Sequence, residues 1–514
     1  MRFRSASTTK KITIGASLVV VAFAGVPVAQ ALSGGAVVPD GAYEFLARIT
    51  AGDKGCSGAL IDPEFVITAA SCLPQTGEVK IVVGKANIAT GAGHVTTAAK
   101  IVRHTGRDVA VVKLAAKTTG ITPLALSATA LAQNESVKTA GFGRTGTEWV
   151  PARPHVATFT VGALNAIEAS LTGEKDTCKG DAGGPAFREV GGTPQLVALS
   201  SRSWQNGCLL VAETRKGSTG TRVDDLTTWI TKQIVPTPVT CTPVTVWSTR
   251  QNGDLHRYVH ADAKTGGLSW SGGQAVGNGW FGRMVAGSGN VVWDFHKKID
   301  GNDPHADGVL KRWVWNPSPT VPDTGFWSGG QVVGSGWERY LTPEYKNRIT
   351  IDSAGRIFVI DDQGRLRYYV WDTANNTWVN GSGDTVESGW ERFDSITAAG
   401  DGVLYARQPN GDLFRFEYNV SSKTWTQKDK PAGKGWNMFS EIFSPGGDLL
   451  YARGALGKNP WGEDTVPVLR WYAHYDNTDG WAPGAADNTG RSIGSGWDTE
   501  RHVSAQAGAC TLVK

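Results

Sequence analysis

The tetrapeptide Gly-x-Gly-Trp, or a near variant of it, occurs five times in this chain, ending at Trp280, Trp337, Trp390, Trp436 and Trp497. The intervals between these tryptophans are 57, 53, 46 and 61 residues, so loops of unequal length separate copies of one unit. A second tryptophan precedes each motif, at Trp270, Trp327, Trp378, Trp425 and Trp481. Before that comes a Leu-x-x-aromatic stretch, beginning at Leu255, Leu310, Leu366, Leu413 and Leu469. A unit of about 50 residues cannot bury its own apolar face and must stack on its neighbours. The copy ERFDSITAAGDGVLYARQPNGDLFRFEYNVSSKTWTQ reads as four short strands between turn residues. Repeats of this length, made of short strands, indicate the blades of a β-propeller.

The ends of the repeat region predict how the ring closes. The first copy starts at Cys241 with VTVWSTR and lacks an opening strand, whereas RHVSAQA after Trp497 is one strand too many. Four complete repeats plus one shared between the two ends give five blades closed by strand exchange. Cys241 and Cys510 then lie side by side, and a disulfide between them locks the ring. For so long a loop the chain-entropy model gives such a bond about 5 kcal/mol.

Composition changes sharply where the repeats begin. All but Trp149, Trp204 and Trp229 of the 20 tryptophans follow residue 240. The join, IVPTPVTCTP, holds three prolines, and proline favours an extended linker. VDDLTTWITKQI, just before it, spaces Val223, Leu226, Trp229 and Ile234 as a helix would. The expected organisation is therefore a domain over 32–235, a linker over 236–240 and a propeller over 241–514. With 65 Gly and three Met, the chain reads as all-β with many turns. A formal charge of +4 is too small to favour nucleic acid or an anionic membrane as partner.

Residues 1–31 predict secretion. Arg2, Arg4, Lys10 and Lys11 precede an apolar stretch from Ile12 to Val28, followed by Ala29-Gln30-Ala31, the pattern of a cleaved signal peptide. No other stretch is long and apolar enough for a membrane span. Six cysteines in a secreted chain favour disulfides over metal thiolates, and neither Cys-x-x-Cys nor His-Glu-x-x-His occurs. No metal or cofactor is expected. The acidic loop at Asp300, Asn302, Asp303 and Asp307 lacks the EF-hand spacing and reads as a solvated insertion.

The first half carries a different signal. CSGALIDPEFVITAASC ends in Ala69-Ala70-Ser71-Cys72, and DTCKGDAGGP contains Asp181-Ala182-Gly183-Gly184-Pro185. Both resemble the signature stretches of trypsin-like serine proteases, which read TAAHC and GDSGGP, and the resemblance covers about Leu32 to Val235. It implies a double β-barrel with disulfides Cys56–Cys72 and Cys178–Cys208. It makes Asp108, in RDVAVVKL, the triad acid, and Asp176 the acid of the specificity pocket. The backbone N–H groups of Gly180 and Ala182 become the oxyanion hole. Leu32, in LSGG, supplies the α-amine that pairs with Asp181 once the chain is cut after Ala31.

The same resemblance puts Ser71 at the general-base histidine and Ala182 at the nucleophilic serine. A serine is a weak nucleophile until an imidazole takes its proton, and the aspartate only orients that imidazole. Losing either member costs about as much as losing the triad, leaving roughly 10³ to 10⁴ over water. Neither His94 nor His104 rescues the chemistry, because a base without a nucleophile does nothing. Asp176 fits an ancestral preference for basic residues, or simply a solvated loop carboxylate. LSSRSWQNGC departs from the family's Ser-Trp-Gly segment, and Arg202 there is placed to neutralise Asp176.

The repeat pattern from 241 to 514 resembles the tachylectin-like five-bladed propellers, which are lectins. That implies glycan partners, N-acetylhexosamine-containing among them. Trp280, Trp337, Trp390, Trp436 and Trp497 are candidate sugar platforms or, alternatively, wedges between blades. The expected whole is a trypsin-like double β-barrel followed by a five-bladed propeller. It reads as a secreted carbohydrate-binding protein whose dead protease domain is a scaffold or holds a protein partner in its former cleft. The rivals are an active secreted endopeptidase targeted by its propeller, and a protein-binding propeller without sugar sites.

Overall fold

The computed structural model describes residues 35–90, 93–297, 308–321, 323–454, 468–482, 490–497 and 499–513, with the backbone of 457–458 and 464–465. The expected signal segment, Leu32 and the acidic loop at Asp300 to Asp307 lie outside the described residues. The chain divides into two compact units, Met1–Ile230 and Thr231–Lys514.

The first unit is two six-stranded barrels. Leu46–Ala51, Lys54–Asp62, Phe65–Thr68, Ala110–Leu114, His94–Arg103 and Lys80–Val83 close the first in that order. Ser136–Gly141, His155–Leu164, Glu168–Thr172, Ser218–Arg222, Thr193–Ser203 and Pro185–Val190 close the second, the last strand pairing back to the first. The stretches Phe65–Ile67 and Leu196–Leu199 are apolar throughout and buried, because their residues face a filled barrel core. The expected helix forms over Thr227–Ile234, with Ile230 fully buried.

The second unit carries four four-stranded sheets and a fifth of seven strands, in which Phe439–Gly446, Leu449–Gly454, Leu469–Tyr475 and Arg491–Gly494 are the equivalent four. Their innermost strands are Glu500–Ala505, Arg283–Ala286, Ile349–Ile351, Ser395–Ala398 and Phe439–Gly446, and these neighbour one another in a closed ring. Strand exchange is present as expected: Glu500–Ala505 pairs with Val244–Arg250 and completes the sheet of Leu255–His260 and Trp270–Gly277. Cys241 and Cys510 face each other across an antiparallel pair and are bonded. Val239–Cys241 forms a strand against Cys510–Leu512, so part of the expected linker is sheet.

Glu441 is the hub of the ring. Its carboxylate, 4% exposed on the side chain, meets Arg283 and Arg453 and accepts from the N–H of Val503 at 3.1 Å. These residues lie on or beside three different innermost strands. Burial alone would raise the carboxyl, but the two guanidiniums and His502 hold it far below the usual range. Hydroxyls do similar work nearby: Ser504 accepts from Ala286 N at 2.9 Å, Thr350 from Ala398 N at 2.8 Å, and Thr397 donates to Ile442 O at 3.0 Å.

The repeated motif is explained by its tryptophan. The second glycine (Gly279, Gly336, Gly389, Gly435, Gly496) always has φ between 76° and 86°, a conformation that glycine adopts without strain. A Cβ at the first glycine (Gly277, Gly334, Gly433, Gly494) would lie 2.4 to 2.8 Å from the indole Nε1. Only the third copy lacks that glycine, and there Glu387 accepts from Trp390 Nε1 at 3.2 Å instead. In four of the five repeats the other tryptophan clamps the preceding blade. Trp327, Trp378, Trp481 and Trp270 donate Nε1 to the carbonyls of Val276, Val333, Ala432 and Ile493, at 2.6 to 2.9 Å.

The five motif tryptophans are consequently 1 to 8% exposed, with neighbouring rings such as Trp425 stacked on Trp390. Of the two readings, sugar platform or wedge between blades, this burial favours the wedge, each indole being largely covered by neighbouring side chains.

Candidate functional site

Three short pieces of the first unit meet where the catalytic groups were expected. The strand Phe65–Thr68 runs into a tight turn, Ala70–Cys72, which the Cys56–Cys72 disulfide ties back to the neighbouring strand. Ser71 on that turn donates its N–H to Asp108 Oδ1 at 2.7 Å and its hydroxyl to Asp108 Oδ2 at 2.8 Å. The carboxylate expected to orient an imidazole is thus held at both oxygens by one serine. His94 instead lies 2.8 Å from the carbonyl of Ala116, and His104 packs edge-on against Trp229.

The second piece is the loop from Asp176 to Pro185, pinned by Cys178–Cys208. Ala182 presents a methyl group at the nucleophile position, while its carbonyl accepts from Ser57 N at 3.0 Å. Gly180 has φ 99°, and Gly183, with φ 80°, has no room for a side chain: a Cβ would stand 2.2 Å from Thr68 Oγ1. This is the loop in which the sequence predicts an oxyanion hole. Neither the Gly180 nor the Ala182 N–H has an acceptor among the described residues.

Behind the loop Asp181 is fully buried and accepts from Cys178 N and Gly143 N, each at 2.8 Å. Desolvation outweighs those two bonds and pushes its carboxyl up to about 7. No cation pairs with it among the described residues.

Asp176 is not a solvated carboxylate. It is 1% exposed and accepts from Asn206 N at 3.1 Å and Gly217 N at 2.7 Å. Arg202 does not neutralise it, because the guanidinium pairs with Glu168 at 2.6 Å. Sequence reasoning also missed Arg144, which stacks over Trp149 and bonds Gln205 at 2.6 Å. No periodic signal marks it. Arg144, Trp149, Arg202 and Gln205 border an open cleft of about 680 Å³ that also contains Ala182 and Gly180.

On the propeller, one groove holds about 510 Å³ beside the second motif. Trp337, Tyr369 and Trp378 give it apolar edges. Asp361 and Arg367, bonded at 2.7 Å, and Arg339, paired with Asp362 at 2.6 Å, give it polar ones. None of these charged residues was singled out from the sequence. Among the described residues there is no cluster of His, Cys, Asp and Glu fit to hold a metal, and no helix is long and apolar enough to cross a membrane.

Two closed six-stranded barrels in one unit are the fold of the double-barrel serine proteases. A trypsin family model matches residues 32–230, and the chain belongs to that family. Snake venom serine protease KN5 of Trimeresurus stejnegeri is 30% identical over 224 residues, 38% of this chain and 82% of that protein. Trypsin I-P1 of Gallus gallus is 26% identical over 251 residues, 41% of this chain and 96% of its own length. Chymotrypsin-like elastase family member 1 of Canis lupus familiaris is 28% identical over 213 residues, 35% and 81% of the two chains. A tachylectin family model matches residues 248–502.

Proposed function

We propose that this is a secreted carbohydrate-recognising protein whose trypsin-like unit performs no proteolysis. The observation that carries the second half is the Ser71–Asp108 pair opposite the methyl group of Ala182. A hydroxyl bonded to a carboxylate takes no proton from a substrate near neutral pH, and alanine forms no acyl intermediate. The match to the tachylectin family supports a glycan as the propeller's ligand, with N-acetylhexosamine the first candidate. The groove beside Trp337 and Trp378 has the mixed character a sugar needs, with indole edges for the ring and carboxylates and guanidiniums for hydroxyls. The apolar stretch before Ala31 supports export, after which the Leu32 amine is free to pair with Asp181.

A glycan array probed with the full chain tests the lectin half. Binding confined to N-acetylhexosamine-bearing glycans supports it, and silence across every sugar favours a protein-binding propeller. Arginine-containing chromogenic peptides test the other half. Turnover by the unaltered chain, persisting after added protease contaminants are controlled for, establishes the endopeptidase instead.

A further inference from the structure

The cleft of the trypsin-like unit is lined by an excess of positive charge. Four cations line it without a carboxylate partner among the described residues: Arg48, Lys54, Arg144 and Lys179. Asp53 is the only carboxylate in the lining, and Arg202 is already paired with Glu168. The family's pocket acid does not offset this excess. Asp176 is absent from the lining, and the N–H groups of Asn206 and Gly217 engage its two oxygens.

Two further observations point to a ligand. Arg144 is 6% exposed and its Nε has no hydrogen-bond partner, although the guanidinium faces a cleft of about 680 Å³. The hydroxyl of Ser200, 2% exposed in the same lining, is also unpartnered. Burying such groups without partners is costly, and a guanidinium in particular calls for an anion. Beside them stand the acceptor-free N–H groups of Gly180 and Ala182. The methyl group of Ala182 leaves the approach to them open.

We propose that this cleft binds acidic peptide segments, with a carboxylate seated between Arg144 and the N–H groups of Gly180 and Ala182. Lys179, at the rim, draws in a second acidic residue. A polypeptide suits the site better than a sulfated glycan because Trp149 and Val150, 58% and 60% exposed, add an apolar rim. The preference is thus inverted relative to a pocket built around an aspartate. This rests on the non-proteolytic reading of the unit.

The test is fluorescence anisotropy of the full chain with a labelled peptide, Ala-Glu-Glu-Asp-Glu-Ala, against its Lys-for-acid counterpart and a labelled heparin fragment. The expected result is binding of the acidic peptide alone, weakened at least about tenfold by Lys179→Glu and by Arg144→Gln. Lys179 is exposed, so its variant leaves the fold intact, and circular dichroism checks both. No binding, equal binding of the two peptides, indifference to Lys179→Glu, or preference for the heparin fragment each overturns the proposal. Mass spectrometry of the recovered peptide separates the two readings: cleavage refutes the non-proteolytic premise, whereas an intact but unbound peptide refutes only the acidic cleft.

Discussion

The oxyanion loop of the first unit and the five Gly-x-Gly-Trp turns of the second are both built on left-handed glycines, yet they relate differently to their neighbours. In the loop, Gly180 and Gly183 shape a backbone whose N–H groups remain open to the cleft. In the turns, the glycines make way for an indole that fills the space completely. A feature present five times serves what all five blades share, which is packing against the next blade. A feature present once is free to serve chemistry. That is why Ser71 and Ala182 change the unit's prospects without disturbing its fold, whereas no motif tryptophan has been replaced.

The largest effect that sharpens this contrast is a gain of function. Ser71→His with Ala182→Ser restores a base within reach of Asp108 and a nucleophile beside the oxyanion hole. Peptidase activity on an arginine ester is expected to rise on the order of 10³-fold or more over the parent. No rise breaks the claim that the surrounding frame is still competent. Next, replacing Cys241 and Cys510 together by serine removes the bond that locks the closed ring and is expected to cost about 5 kcal/mol in the propeller's unfolding transition. Trp390→Ala, at a side chain 1% exposed, is expected to cost about 3 to 5 kcal/mol in the same transition. Trp149→Ala, at an exposed indole, should change stability by less than about 0.5 kcal/mol. Equal effects of the two tryptophan variants contradict the wedge assignment.

A pH series probes the buried carboxylate behind the loop. With Asp181 raised to about 7, the folded chain keeps a proton that the unfolded chain releases near pH 4. Stability therefore falls as pH rises between about 4 and 7, by roughly 4 kcal/mol at most. The slope applies to a chain still carrying the residues before Leu32. Asp181→Asn should flatten it, and so should cleavage after Ala31 if the new amine pairs there. A slope that survives Asp181→Asn belongs to some other group.

The repeat register, the exchanged strand and the Cys241–Cys510 disulfide could be read from repeat spacing, and Cys56–Cys72 and Cys178–Cys208 from the resemblance to trypsin-like proteases. Burial of the motif tryptophans could not. Whether an indole lies open or covered depends on Trp425 reaching Trp390 across a turn, and on Glu387 replacing a glycine, which no pattern of one repeat reveals. The partner of Arg202 was equally hidden: Glu168 comes from a strand 34 residues earlier, and only the barrel's closure brings it nearer than Asp176. Arg144 and Trp149 meet inside one irregular loop, where neither period of two nor of 3.6 applies.

The exchanged strand also sets a timetable for folding. Val244–Arg250 emerges early in synthesis of the second unit, but the strand that covers its open edge, Glu500–Ala505, comes some 250 residues later. At about 5 to 20 residues per second, that edge waits for tens of seconds on a ribosome. An uncovered edge strand is a template for pairing with another chain. The nascent propeller is thus most exposed to misassembly just before its last strand is made, and a stalled or shortened product would carry that hazard permanently.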